Sequence, residues 1–228
     1  MINFIDVGAH VGGVVGIMTK LFDALKIEYK IYAFEPNIDN FVVLKQRFEN
    51  AELINAACAD FDGEGNLYKS AAPGGDSLQS TKNNVDKNRF VRVPVMKFSN
   101  WFKLNINPND FNIVKINIEG GEYDLYKDII ESGIRNSVDI FCGSLGDIYK
   151  IGKSDKEIRD FLNSLEANNI DVITLSVSKQ ENIPGIVTKI KEYMEPEIIE
   201  PPTVVEPVIK SKVAAPTVPK KRGRPKRS

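Results

Sequence analysis

Three short segments of this 228-residue chain set carboxylates and glycines directly after apolar runs. Ile2 to Val7 leads into Gly8-Ala9-His10-Val11-Gly12-Gly13, with Asp6 inside the run. Tyr29 to Phe34 ends at Glu35-Pro36, and Phe111 to Ile118 ends at Glu119-Gly120-Gly121. Glycine lets the backbone turn tightly and lets a ligand come close. Glu35 falls 29 residues after Asp6, where a carboxylate can accept both hydroxyl protons of a ribose. Asn117 and Glu119 close the third segment. Asn117 is an amide, which cannot act as a base, and Glu119 puts a carboxylate beside it.

These residues need a scaffold that brings strand ends together. Ile2 to Val7, Tyr29 to Phe34 and Leu53 to Ala59 read as strands. Between them lie helical patterns, over Val14 to Leu25 and from an Asn37 N-cap to about Glu49. Strands alternating with helices indicate an α/β fold with a mostly parallel central sheet and helices on both faces. Such sheets bind ligands at their carboxyl strand ends. Gly63-Glu64-Gly65 reads as a turn and Ala71 to Asn88 as a polar surface loop. Val91 to Phe98 reads as extended and Ser99 to Leu104 as a short helix. Beyond the strand ending at Ile118, the pattern gives a helix from Tyr123 to Ile130 and a strand from Val138 to Cys142. A helix from Asp155 to Ala167 and a strand from Ile170 to Val177 follow. Trp101 and Tyr123 are either core residues or walls of an acceptor pocket.

The glycine spacing argues against a dinucleotide cofactor. A dinucleotide loop needs Gly-x-Gly-x-x-Gly, whereas here residue 10 is His and the glycines stand at 8, 12 and 13. S-adenosylmethionine carries no phosphate and bears a sulfonium and an ammonium, which an acid such as Asp6 suits.

FIDVGAHVGG, YAFEPNIDNF, LINAACADFDG, GDSL and VKINIEGGEYDLYKDI follow one another in this chain. The ordered set, over roughly residues 3 to 145, resembles the FkbM-type methyltransferases. The resemblance implies a Rossmann-like class I methyltransferase fold, an S-adenosylmethionine donor and a hydroxyl acceptor on a sugar, another small molecule or a glycan. It implies that Asp6, Gly8 and Gly12 line the methionine part of the cofactor, with His10 in the same loop. Glu35 would hold the ribose, Asp60 would meet the adenine amino group and Ser77 would sit near the cofactor. Asn117 to Gly120 would face the reacting methyl, with Asn117 and Glu119 as the catalytic pair. The family motif reads Lys-Ile-Asp-Val-Glu-Gly, and Asn117 replaces its Asp. That replacement gives an alternative reading, a catalytically silent member acting as a DNA-binding or scaffold module.

Charge divides the chain. Residues 195–228 carry eight Lys/Arg and four Glu, a net +4, against −5 for the rest. The expected organisation is a catalytic domain over 1–194, a Pro/Glu/Val/Lys linker over 195–219 and a basic tail over 220–228. Arg222-Gly223-Arg224-Pro225 resembles an AT-hook, whose arginines enter narrow AT-rich minor grooves. Cys58 and Cys142 stand too far apart for a zinc or disulfide framework, and both read as buried reduced thiols; no metal site is expected. No run approaches the roughly 18 apolar residues of a membrane helix. The expectation is a soluble, cytoplasmic or nucleoid-associated protein (nuclear in a eukaryotic host) with no membrane partner.

Overall fold

The computed structural model describes residues 1–71 and 74–195. The linker and the tail, with Arg222, Gly223, Arg224 and Pro225, lie outside the described residues. Met1–Glu195 is one compact unit. Its strands β1 (Ile2–Val7), β2 (Tyr29–Phe34), β3 (Glu52–Ile54), β7 (Phe111–Ile116), β8 (Ile140–Gly143) and β9 (Val172–Thr174) form a six-stranded sheet in the order β3-β2-β1-β7-β8-β9. Every pairing in it is parallel. β1 and β7 are fully buried along their length, as strands covered on both faces must be. On one face, α1 (Gly13–Leu25), α2 (Ile38–Arg47) and α6 (Ile183–Met194) pack through Met18, Phe22, Leu44 and Ile186 onto Phe4 and Ile113. On the other, α3 (Phe98–Asn105), α4 (Glu122–Glu131) and α5 (Asp155–Ala167) pack through Phe102, Tyr126 and Phe161 onto Ile5, Val114 and Phe141. This is the expected Rossmann-like α/β architecture, with the strand order reversing direction between β1 and β7.

The structure departs from the sequence reading in three places. The single strand expected over Leu53 to Ala59 is two. β3 joins the central sheet, while β4 (Ala57–Ala59) pairs with β6 (Val85–Lys97) in a separate three-stranded sheet completed by β5 (Gly63–Ser70), in the order β4-β6-β5. The break falls at Asn55, whose amide donates to the carbonyls of Glu35 (2.8 Å) and Pro36 (3.3 Å). The expected turn at Gly63 and the end of the expected loop belong instead to a long hairpin, β5 (Gly63–Ser70) with β6 (Val85–Lys97). Helix α6 had no counterpart in the sequence reading. Trp101 and Tyr123 are core residues, Trp101 edge-on to Tyr32 and Phe34 and Tyr123 against Phe161. Cys58 and Cys142 are both buried and free. Among the described residues no helix is long and apolar enough to cross a membrane.

Candidate functional site

The loop after β1 is built by close approach. Gly8 has φ +85°, and a Cβ there would stand 2.1 Å from the carbonyl oxygen of Asn117, so only glycine lets the ends of β1 and β7 meet. The amides of Gly8 and Ala9 donate to the Phe34 carbonyl, at 3.1 and 2.8 Å. The His10 amide donates to Glu35 Oε2 at 2.8 Å. These bonds tie the loop to the end of β2. Glu35 Oε1 accepts from the amide of Asn37 at 2.8 Å and from the Asn40 side chain at 3.4 Å. Burial pushes the Glu35 carboxyl above its ordinary range, against the lowering effect of these bonds. Asp6 is fully buried beneath the loop, paired at 2.8 Å with Lys115, whose ammonium also donates to the Gly8 carbonyl at 2.7 Å.

The segment after β7 is held as tightly. Glu122, at the start of α4, accepts from the amides of Ile118 (2.7 Å) and Gly120 (2.6 Å), and its own burial raises its carboxyl. The turn so formed puts Glu119 in the left-handed region, at φ +59°, which non-glycine residues seldom occupy. The segment after β5 closes over it. Ser77 is buried and donates through its hydroxyl to the Glu119 carbonyl at 2.7 Å. Lys82, with no side-chain exposure, pairs with the Glu119 carboxylate and reaches Asp147 at 3.5 Å and the Gly75 carbonyl at 3.3 Å. The Gln79 amide donates to Asp124 at 2.9 Å.

A cavity of about 670 Å³ lies where these segments meet. Gly8, His10, Glu35, Asp60, Asn117 and Glu119 all line it. Asp6, Gly12 and Ser77, expected beside a cofactor, are not in its wall. Asp6 is consumed by Lys115 under the loop. Gly12 packs on α2, where a Cβ would stand 2.2 Å from the Phe48 ring. Ser77 buttresses Glu119 from behind. The wall carries six acidic side chains, Glu35, Asp39, Asp60, Asp76, Glu119 and Asp124, against two basic ones, Lys69 and Arg89. Burial pushes the Asp76 carboxyl up, but Lys69 at 2.8 Å, the Ser70 amide at 3.0 Å and Asn37 at 3.0 Å outweigh it and hold it below the ordinary range. The sequence reading missed Asp76, Gln79 and Lys82, which sit in a polar stretch with no local sign of burial, and Lys115, which lies inside the strand motif.

The cavity thus lies at the switch point of a parallel α/β sheet, with the acid that closes β2 in its wall. The Methyltransferase FkbM domain model matches residues 6–181, and the chain belongs to that family of methyltransferases. Among solved structures, the chain is similar to Methyltransferase FkbM from Methylobacillus flagellatus KT, at 15% identity and a TM-score of 0.36. The match covers 58% of this chain and 30% of that one, so the chain spans less than a third of that protein's length. No curated protein matches the chain.

Proposed function

We propose that the chain transfers a methyl group from S-adenosylmethionine to a hydroxyl oxygen of a sugar, another small molecule or a glycan. The observation that carries this is the Glu35 carboxylate at the end of β2, in the wall of an acidic cavity between the ends of β1 and β7. The residues present fit that cofactor. Glu35 suits two ribose hydroxyls, and Ala57, Cys58, Ala59 and Phe61 make an apolar bay that ends at Asp60, matched to an adenine and its amino group. The excess of carboxylates suits a cationic ligand and disfavours one bearing phosphates. Gly8 and His10 flank the methionine part, and Asn117 and Glu119 face the reacting end. Asp6, Gly12 and Ser77 act by shaping the loops. Bound there, the cofactor supplies an electrophilic methyl group; the chain supplies orientation and exclusion of water. Asn66, Gln79, Asp76 and Asp124 offer the acceptor hydrogen-bonding groups of the kind a polyol takes. The basic tail supports a further proposal, that it tethers the enzyme to AT-rich DNA.

Calorimetry with S-adenosylmethionine tests the reading. Wild type binds, and Glu35→Gln binds about ten- to a hundredfold more weakly, the worth of hydrogen bonds to a charged acceptor. No heat with wild type, or equal affinity of the variant, refutes it. A second reading, a silent member acting as a scaffold, is favoured by Asn117 and by the engagement of Glu119 with Lys82. Cofactor binding with no methyl transfer to sugar, lipid or nucleic-acid hydroxyls would select it.

A further inference from the structure

We infer that His10 is the catalytic residue that takes the proton from the acceptor hydroxyl, an inference that rests on the methyl-transfer reading above. Glu119, the base expected from the sequence, is poorly placed for that work. Its carboxylate is held by the buried Lys82 ammonium, which occupies it. The other acids are engaged or distant. Asp76 is held by Lys69, Asn37 and the Ser70 amide, Asp124 accepts from Gln79, and Glu35 accepts from two main-chain amides. Asp60 closes β4, in the other sheet, and Asp39 lies in the first turn of α2.

His10 differs from all of these in its side chain; its left-handed backbone it shares with Glu119. It is the chain's only histidine, and imidazole is the side chain suited to exchange a proton near neutrality. Its backbone sits at φ +52°, a conformation that glycine takes freely and L-residues rarely adopt. The amide bond to Glu35 locks it there. It stands two residues from Gly8, which touches the Asn117 carbonyl, so it belongs to the β1–β7 end of the cavity. The ring lines the cavity opposite Gly74, where a Cβ would come within 3.6 Å of Nε2. Among the described residues no group hydrogen-bonds the ring. A left-handed histidine with a free ring in a cavity wall is an outlier that calls for a function.

The proton step balances. The acceptor O–H bond breaks and leaves its electron pair on oxygen. The ring nitrogen's lone pair forms the new N–H bond, and neutral imidazole becomes imidazolium. Glu35, whose carboxylate interacts electrostatically with His10, and the acidic wall offset that charge, with Lys69, Lys82 and Arg89 as the opposing cations.

Because there is one histidine, its ring gives one set of imidazole signals in histidine-labelled full-length protein. S-adenosylhomocysteine is added to saturation while calorimetry on the same sample records binding. The ring signals are expected to move on binding. Heat of binding with ring signals that stay fixed overturns the inference and leaves the methyl-transfer reading standing. Absence of both heat and shift sinks that reading and this inference with it. His10→Asn, which tolerates the same backbone, is expected to lose at least about a hundredfold in transfer to hydroxyls at saturating cofactor. Equal transfer by the variant to any acceptor of a sugar and polyol panel also overturns the proton role.

Discussion

Replacing Lys82 by Met keeps the length and apolar bulk of the side chain while deleting its ammonium. Lys82 is wholly buried, so the substitution removes the partner of Glu119 without opening a path for water at that point. Asp147 keeps a second cation, Lys150 at 2.8 Å, so the stranded charge is that of Glu119. Breaking a fully buried pair costs about 3–5 kcal/mol. The Glu119 side chain retains 21% exposure, which lets solvent recover part of this and brings the expectation to about 2–3 kcal/mol. For a unit of this size each kcal/mol lowers the melting temperature by about 2–4 °C, so a fall of about 5–10 °C should appear by calorimetry, with a matching loss in urea. The control is the same substitution in a Glu119→Gln background. With no carboxylate left to strand, Lys82→Met should then cost less than about 1 kcal/mol. An unchanged melting temperature in the single variant, or an equal cost in both backgrounds, would show that the ion pair does not hold the cavity wall.

Gly8→Ala places a Cβ against the Asn117 carbonyl at φ +85°, and should cost about 2–5 kcal/mol and abolish cofactor binding; a melting shift under about 2 °C would contradict it. Asp76 has a depressed folded-state pKa, so its stabilisation is present above its unfolded value of about 3.9 and is lost as pH falls through the folded value. Wild type should therefore be more stable than Asp76→Asn at pH 7, with the gap closing below about pH 4 in urea titrations; a gap that widens in acid has the wrong sign. The full chain should bind AT-rich duplex in a salt-sensitive way, and removal of residues 220–228 should eliminate that binding; equal fluorescence anisotropy of the truncated protein rules out the tether.

What could be read in the sequence follows from how local its cause is. Strands β1 and β2 and the helix Asp155–Ala167 carry their own signals. The strands are mainly apolar runs, and the helix starts at Ser154, whose side chain forms a capping box with Glu157. Residues 53–59 are equally apolar, yet the break at Asn55 depends on carbonyls at 35 and 36 that a one-dimensional reading does not bring near. Helix α6 has Ile186 and Ile190 one turn apart, both buried, but Pro184 and Gly185 at its start weaken the period. The site divides in the same way. Gly8, Glu35 and Glu119 announce themselves by lying at strand ends. Lys82 belongs to a stretch whose polar composition reads as solvated, and its partners Glu119 and Asp147 lie far along the chain.

Lys82 also changes what Asn117 means. With an Asn in place of the motif's Asp, Glu119 looks like the surviving carboxylate and hence the base. The ammonium on Glu119 neutralises that end of the site, leaving its negative field to Glu35, Asp39, Asp60 and Asp124. A site arranged so favours a base that starts neutral. A histidine meets that condition, and a carboxylate does not. The loss of one acid after β7 is thus compatible with turnover, provided that the proton leaves through the β1 loop, where the sequence places the chain's only imidazole.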